Sequence, residues 1–304
     1  MGKETAISWT DHTFNGWWGC TPISPGCANC YAAAFDRRTG GDHFGKGKAR
    51  RTFQDRHWNE LLAWNEAANR DGVTRKVFCF SMGDIMDEEA PDGELSRLYG
   101  FANRCDRLVF QFLTKRPERY HKLLPFAFPH NNVQIGATAE NQPMYDKRWP
   151  VLARLRLSSA WGTLPLWISY EPAIGPLSIR GFEQKPGWIV FGGETGPGFR
   201  PMQLEWAENL LAECREFPVP FYMKQVAART PGKGKEIHPA PSQHPAIPSS
   251  RMTLFEACQS GSHASVRSSS LNLRREPDPH LLPWVIDRCV VLVGYDTTAL
   301  EVRW

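Results

Sequence analysis

The chain predicts an α/β fold built on a parallel sheet, and three observations carry that reading. Short, almost unbroken apolar runs recur along the sequence. Helix-compatible stretches separate them. A charged or glycine-rich cluster follows each run directly. Parallel strands covered on both faces read as continuous apolar runs, and their alternation with helices marks βαβ units.

The elements follow in order. Lys76–Ser81 is the first strand, closed by Met82-Gly83-Asp84. Leu95 to Cys105 then carries Leu95, Leu98, Tyr99 and Ala102 at helical spacing. Arg107–Leu113 is the second strand and ends in Thr114-Lys115-Arg116-Pro117. Pro117 suits a first helical turn, so a helix is expected over Glu118–Leu124. Asn132–Ala137 is the third strand, followed by Thr138-Ala139-Glu140-Asn141. Asp146–Leu157 reads as helix, kinked or restarted at Pro150. Leu164–Tyr170, ending in Glu171-Pro172, and Gly187–Phe191, ending in Gly192-Gly193-Glu194, are the fourth and fifth strands. Gln203–Glu216 is an amphipathic helix, and Val219–Met223 is the sixth strand, followed by Lys224-Gln225. Asp84, Lys115, Glu140, Glu171, Glu194 and Lys224 thus share one topological position. In α/β barrels that position is the rim where sites are built, so these six are expected to ring a common mouth.

From Arg229 the sequence turns Pro-rich and charged and reads as a linker. A Ser-rich piece and a late apolar run, Trp284 to Tyr295, follow; the run is expected to hold a strand. The expected organisation is therefore 1–228 as the α/β domain and 229–304 as linker and C-terminal extension.

The 304 residues, 41% apolar, suffice for a sizeable core. A formal net charge of +4 permits a polyanionic partner without demanding one. The 12 Trp suit either base stacking or core packing. The segment MGKETAISWTDHTF has no apolar signal region, and Cys289 to Tyr295 is too short to cross a bilayer. A cytoplasmic protein with no membrane partner is expected. In a reducing compartment a tight cysteine cluster indicates metal binding or catalysis, not disulfides.

That cluster is Cys20, Cys27 and Cys30, set in a loop made turn-rich by Gly19, Pro22, Pro25 and Gly26. Iron–sulfur clusters held wholly by protein use four Cys. Three would leave one iron open, and an open position marks catalysis. The same trio fits a structural zinc completed by His12 or His43. Cys79, Cys105, Cys214, Cys258 and Cys289 read as small core residues.

Several motifs add a resemblance. They are Ile7-Ser8-Trp9-Thr10-Asp11, Gly19-Cys20-Thr21, Ser24-Pro25-Gly26-Cys27, Asn29-Cys30-Tyr31-Ala32, Met82-Gly83-Asp84, Leu113-Thr114-Lys115-Arg116-Pro117, Glu171-Pro172, Gly192-Gly193-Glu194-Thr195-Gly196-Pro197, Arg200-Pro201-Met202 and Lys224-Gln225. Over residues 7–226 the chain resembles the radical S-adenosylmethionine (radical SAM) superfamily, and within it an uncharacterised, phage-associated family of radical SAM-like three-cysteine proteins. The superfamily's usual Cys-x3-Cys spacing is here widened to x6.

The resemblance implies a partial (βα)6-type barrel with parallel strands, an N-terminal three-Cys loop and an irregular C-terminal tail. It implies a [4Fe-4S] cluster on Cys20, Cys27 and Cys30 whose open iron binds the amino and carboxylate groups of S-adenosylmethionine (SAM). An external flavodoxin- or ferredoxin-like donor would supply one electron. SAM would then split to methionine and a 5′-deoxyadenosyl radical that takes a hydrogen atom from the substrate. The hard chemistry is the cofactor's.

Gly83-Asp84 would meet the SAM amino group, with Ser81 and Met82 on the same wall; an ordinary strand-ending turn is the plain alternative. Lys115 would meet the SAM carboxylate or an anionic substrate, or else stand solvated at a helix start. Thr138 and Glu140 would touch the ribose. Glu171 and Glu194 would hold substrate or move protons, or else bridge to Arg or Lys across the rim. Gly192 and Gly193 would admit adenosine or substrate closely.

Arg37, Arg38, Lys46, Lys48, Arg50, Arg51 and Arg56 lie just past the cysteines, among Phe44, Phe53 and Trp58. They suggest a nucleotide or nucleic-acid substrate, or a solvated lid. Two other classes stay open: a non-catalytic zinc or iron–sulfur module that docks nucleic acid, and a hydrolase holding divalent ions on Asp84, Glu140, Glu171 and Glu194.

Overall fold

The structure is a computed structural model that describes residues 5, 7–123, 132–157, 164–230, 283–286 and 289–292. The chain divides into two units, Met1–Met252 and Thr253–Trp304. The first runs β1 (His12–Phe14), β2 (Trp17–Trp18), α1 (Tyr31–Arg38), β3 (Arg51–Thr52), α2 (Asp55–Arg70), β4 (Arg75–Cys79), α3 (Glu94–Arg104), β5 (Leu108–Thr114), β6 (Val133–Thr138), α4 (Gln142–Ala153), β7 (Leu166–Tyr170), β8 (Trp188–Gly192), α5 (Leu204–Glu216) and β9 (Phe221–Gln225). Seven strands form one sheet in the order β1-β4-β5-β6-β7-β8-β9, and every neighbouring pair is parallel. β2 and β3 pair antiparallel as a separate ribbon. In the second unit β10 (Pro283–Ile286) and β11 (Cys289–Leu292) pair antiparallel, so the late apolar run contributes to two strands. The rest of the linker and tail expected beyond Arg229 lies outside the described residues.

The sheet curls into a half-barrel. Phe78 of β4 and Trp167 of β7 are three strand positions apart, which in a flat sheet is about 14 Å at the usual spacing. Their ring centroids are 6.5 Å apart. Trp9, just before β1, lies inside the curl, 4.8 Å from Phe78 and 5.6 Å from both Trp167 and Trp188. The inner layer is Trp9, Phe78, Trp167, Trp188 and Val190. Gln111 and Gln134 join it by a mutual hydrogen bond of 3.2 Å. Gly136 belongs here because a Cβ would stand 2.4 Å from the Trp167 indole. Alternate residues face outward: Val77, Phe110, Phe112, Ile135, Ile168 and Phe191 pack in the larger core with the helices. This two-sided burial explains the unbroken apolar runs.

All six expected strands are present, and β1 adds a seventh. α4 starts four residues earlier than expected because the Asn141 side chain accepts the Met144 N–H at 3.1 Å and caps it. The helix runs through Pro150 and ends in a 3-10 turn, Arg154–Leu157. After β5 the expected α-helix is instead a run of 3-10 turns, Pro117–Leu123, anchored by the buried Tyr120 hydroxyl donating to Gly136 O at 3.0 Å; Leu124 lies outside the described residues.

Candidate functional site

The three cysteines sit over the C-terminal mouth of the half-barrel. Gly19 and Gly83 form a parallel bridge, with Gly19 N–H donating to Met82 O at 2.9 Å, so the loop is stitched to the end of β4. Gly19 has φ +103°, and a Cβ there would stand 2.1 Å from His43 O. Cys27 closes a 3-10 turn and Cys30 is the N-cap of α1. The helix's positive end therefore lies at Cys30.

Three ion-paired anchors hold this loop. At the first, Arg116 pairs with Asp84 (2.9 Å) and donates to Thr21 O (2.6 Å). Asp87 accepts Thr21 N–H (3.2 Å) and pairs with the buried Arg50 (2.6 Å). Arg50 also reaches Glu89 (2.7 Å), and its other N–H groups bond the His43, Gly45 and Lys48 carbonyls.

At the second, Glu140 is fully buried and pairs with Arg148 at 2.6 Å. Its other oxygen accepts from Ser24 Oγ and, at 3.1 Å, from Gly26 N–H. A Cβ on Gly26 would stand 2.8 Å from that oxygen. At the third, Glu194 accepts from Arg200 (2.5 and 2.9 Å) and Asn29 (3.0 Å), while Arg200 also reaches Pro25 O (2.9 Å). The six residues between Cys20 and Cys27 thus carry most of the anchoring contacts.

Most of the expected site residues are already engaged with other protein groups. Asp84, assigned to the SAM amino group, accepts from Arg116, Thr114 Oγ1, Lys115 N–H and Met86 N–H. Glu140, assigned to the ribose, is committed to Arg148 and the loop. Burial raises its carboxyl, but Lys115, Arg148 and Ser24 outweigh that and hold it below the ordinary range. Glu194 is likewise lowered against burial by Arg200 and Asn29. Glu171 pairs with Lys224 at 2.8 Å and accepts from Ser169 at 3.3 Å. Gly192 makes room for the Glu171 carboxylate, 2.3 Å from where a Cβ would be, and Gly193 for the Ala227 backbone at 2.1 Å.

Ser81 Oγ accepts from Asn15 (3.1 Å), and Ser81 O accepts the Tyr31 hydroxyl. Thr138 is buried at the end of β6, and its carbonyl accepts from Arg148 (2.9 Å). Lys115 differs from the rest: among the described residues its ammonium has no carboxylate within ion-pair distance. Arg116, Arg148 and Arg200 were not singled out in the sequence. Arg148 and Arg200 follow their strand-end partners within eight residues, which is the signal that could have found them; Arg116 follows β5 while its partner Asp84 follows β4.

The donor set discriminates between the candidate groups. His12 stacks on Trp64 in the helix layer at 4.4 Å, and His43 Nδ1 is 2.8 Å from Asp36. Neither expected zinc partner is directed at the trio. Among the described residues no three His, Cys, Asp or Glu side chains converge closely enough to hold one metal ion. The Cys20 thiol is pushed up by burial and then by Asp84, Cys30, Asp87 and Cys27. The three thiols thus lie within electrostatic reach of one another and of Asp84 and Asp87.

Residues 4–264 match the family described as "Protein of unknown function (DUF5131)", and the chain belongs to that family. No curated protein matches it. Among solved structures it is similar to variants of spore photoproduct lyase. A cysteine-to-serine variant gives a TM-score of 0.44 at 13% identity, over 63% of this chain and 58% of that one. A tyrosine-to-phenylalanine variant gives 0.48 at 11%, over 75% and 78%. A doubly substituted variant described with bound AdoMet and dinucleoside spore photoproduct gives 0.44 at 12%, over 71% and 63%. The chain thus spans 58% of the first of these proteins. No helix among the described residues is long and apolar enough to cross a membrane.

Proposed function

We propose that this chain is a radical SAM enzyme, with Cys20, Cys27 and Cys30 as ligands of a [4Fe-4S] cluster and a nucleotide or nucleic acid as substrate. The observation that carries the reading is the anchoring of a three-thiol loop over the mouth of a parallel half-barrel. When bound and reduced by one electron from a flavodoxin- or ferredoxin-like donor, the cluster would supply reductive cleavage of SAM and so hydrogen abstraction from the substrate.

The chain's own residues do the rest. Asp84 positions the loop through Arg116, Glu194 through Arg200 and Asn29, and Glu140 directly through Ser24 and Gly26 with Arg148 holding its other oxygen. Lys115, with no carboxylate in ion-pair distance among the described residues, is the cation available to the SAM carboxylate. Glu171 and Lys224 form a partly exposed ion pair, and exchange of that pair for substrate contacts would let Glu171 hold or protonate the substrate. The hydrolase alternative is disfavoured because each of its four carboxylates already holds an Arg or Lys.

The test is anaerobic reconstitution with iron and sulfide, followed by SAM and a strong reductant. Brown protein that forms 5′-deoxyadenosine supports the proposal, and Cys27→Ala should abolish both colour and product. A colourless protein holding one zinc, or a loaded cluster that never cleaves SAM, would sink it.

A further inference from the structure

We propose that α1 and the β2–β3 ribbon form a docking face for single-stranded nucleic acid beside the cysteine loop. The inference deepens the proposed function by naming the polymer and its surface, and it rests on that reading only for the chemistry after binding.

Charge is the first observation. Between Tyr31 and Trp58 the sequence has seven Lys or Arg against three Asp, an excess of four that equals the +4 of the whole chain. The rest of the chain is therefore formally balanced; Arg50 is buried on Asp87 and Glu89 and adds nothing to the surface, so the other cations of the stretch carry the local surplus. Of the three acids, Asp36 is buried against His43, and Asp42 and Asp55 are paired with Lys48 and Arg97. Arg37, Arg38, Lys46, Arg51 and Arg56 are exposed, and none has a carboxylate partner among the described residues. A linear polyanion complements such a surplus.

The second observation is the rings among those cations. Tyr31 and Phe35 are 56% and 37% exposed although both are large and apolar. Arg38 lies over Phe35 at 5.2 Å, and Arg51 lies over Trp18 at 4.6 Å and Phe53 at 5.4 Å. Trp18 is buried beneath Arg51, so the exposed Tyr31 and Phe35 rings offer the stacking and the guanidinium groups beside them the phosphate contacts. Stacking needs unpaired bases, so the strand is single or locally opened. An anionic lipid surface fits less well: α1 exposes no long aliphatic side chain, and its rings lie among charges.

Position is the third. Cys30 caps α1, and the Tyr31 hydroxyl donates to Ser81 O at the end of β4. A strand on this face therefore passes the edge of the mouth.

Fluorescence anisotropy of the full chain with labelled oligothymidylate and oligouridylate tests this. Affinity should fall steeply with salt. The double variant Arg38→Ala/Arg51→Ala should weaken binding about tenfold or more and flatten the log K against log salt slope by about 1.4, or 0.7 per lost phosphate contact. Phe35→Ala should weaken it about fivefold or more. Arg215→Ala, an exposed cation on α5, should change nothing, and circular dichroism should show all variants folded. Salt-independent binding, equal loss with Arg215→Ala, tighter binding to duplex, or preference for phosphatidylserine vesicles would each overturn the proposal. SAM cleavage without nucleic acid should survive Arg38→Ala/Arg51→Ala. Strand binding without any SAM cleavage would defeat the proposed function and leave this face standing.

Discussion

Replacing Glu140 by Gln removes one charge from a pair that solvent does not reach. Arg148 would remain, 3% exposed, with only Thr138 O still accepting from it. Breaking one side of a buried pair costs about 3–5 kcal/mol. The lower end is expected here, since the Gln carbonyl still accepts from Ser24 and Gly26. Urea unfolding followed by tryptophan fluorescence reads the barrel, because Trp9, Trp167 and Trp188 are buried inside it. Adding Arg148→Met removes the stranded charge, so the double variant should be less destabilised than the sum of the singles by about 2 kcal/mol.

The pH dependence has a definite sign. A lowered folded-state carboxyl stabilises above its unfolded value, about 4.3 for Glu, and the benefit disappears as pH falls through the folded value. The gap between wild type and Glu140→Gln should therefore be full at neutral pH and close on acidification. Additive singles, or a gap that widens in acid, would refute the pairing.

Other outcomes rest on the same geometry. Gly26→Ala forces a methyl against the fixed Glu140 carboxylate, so less iron per chain should be retained after reconstitution, measured by colorimetric iron assay. Gly136→Ala overpacks the inner layer and should cost about 1–3 kcal/mol in urea, with Trp167→Leu recovering most of it. Glu194→Gln should flatten the acid limb of the stability profile, because the Arg200 pair it removes acts only while the carboxylate is ionised. Lys115→Met should weaken SAM binding about tenfold by calorimetry while iron content stays at the wild-type level, in keeping with the loss of one charge-assisted hydrogen bond.

The sheet was legible where both faces are buried. β4 to β9 announce themselves because Val77, Ile135, Ile168 and most of their alternates lie in apolar layers. β1 did not: His-Thr-Phe is three residues long and carries no periodic signal. α2 did carry one, with Trp58, Leu61, Trp64 and Ala68 on its buried side, but the Gly-rich, charged surroundings masked it. The ring of post-strand charges was visible as a position, not as a set of partnerships. Which carboxylate meets which arginine depends on how α4 and the loop after β8 fold back, and no local pattern encodes that. Arg50 shows the same limit. It read as one of seven basic residues on a surface, yet every N–H it carries is spent inside the protein.

Trp9 has a consequence in time. β1 and β9 are the two free edges of the curled sheet, and the residues before β1 close the base by packing Trp9 on Trp167 and Trp188 and by joining Ser8 to Tyr222 at 2.5 Å. These partners lie some 150 to 215 residues apart along the chain. At usual translation rates of roughly 5–20 residues per second, about 10 to 45 s pass before Tyr222 is made. Until Trp167 and Trp188 are made the indole has Phe78 to pack against, and until Tyr222 is made the base stays open. Trp9 is thus covered late, and the nascent chain should lean on a chaperone more than its native stability suggests.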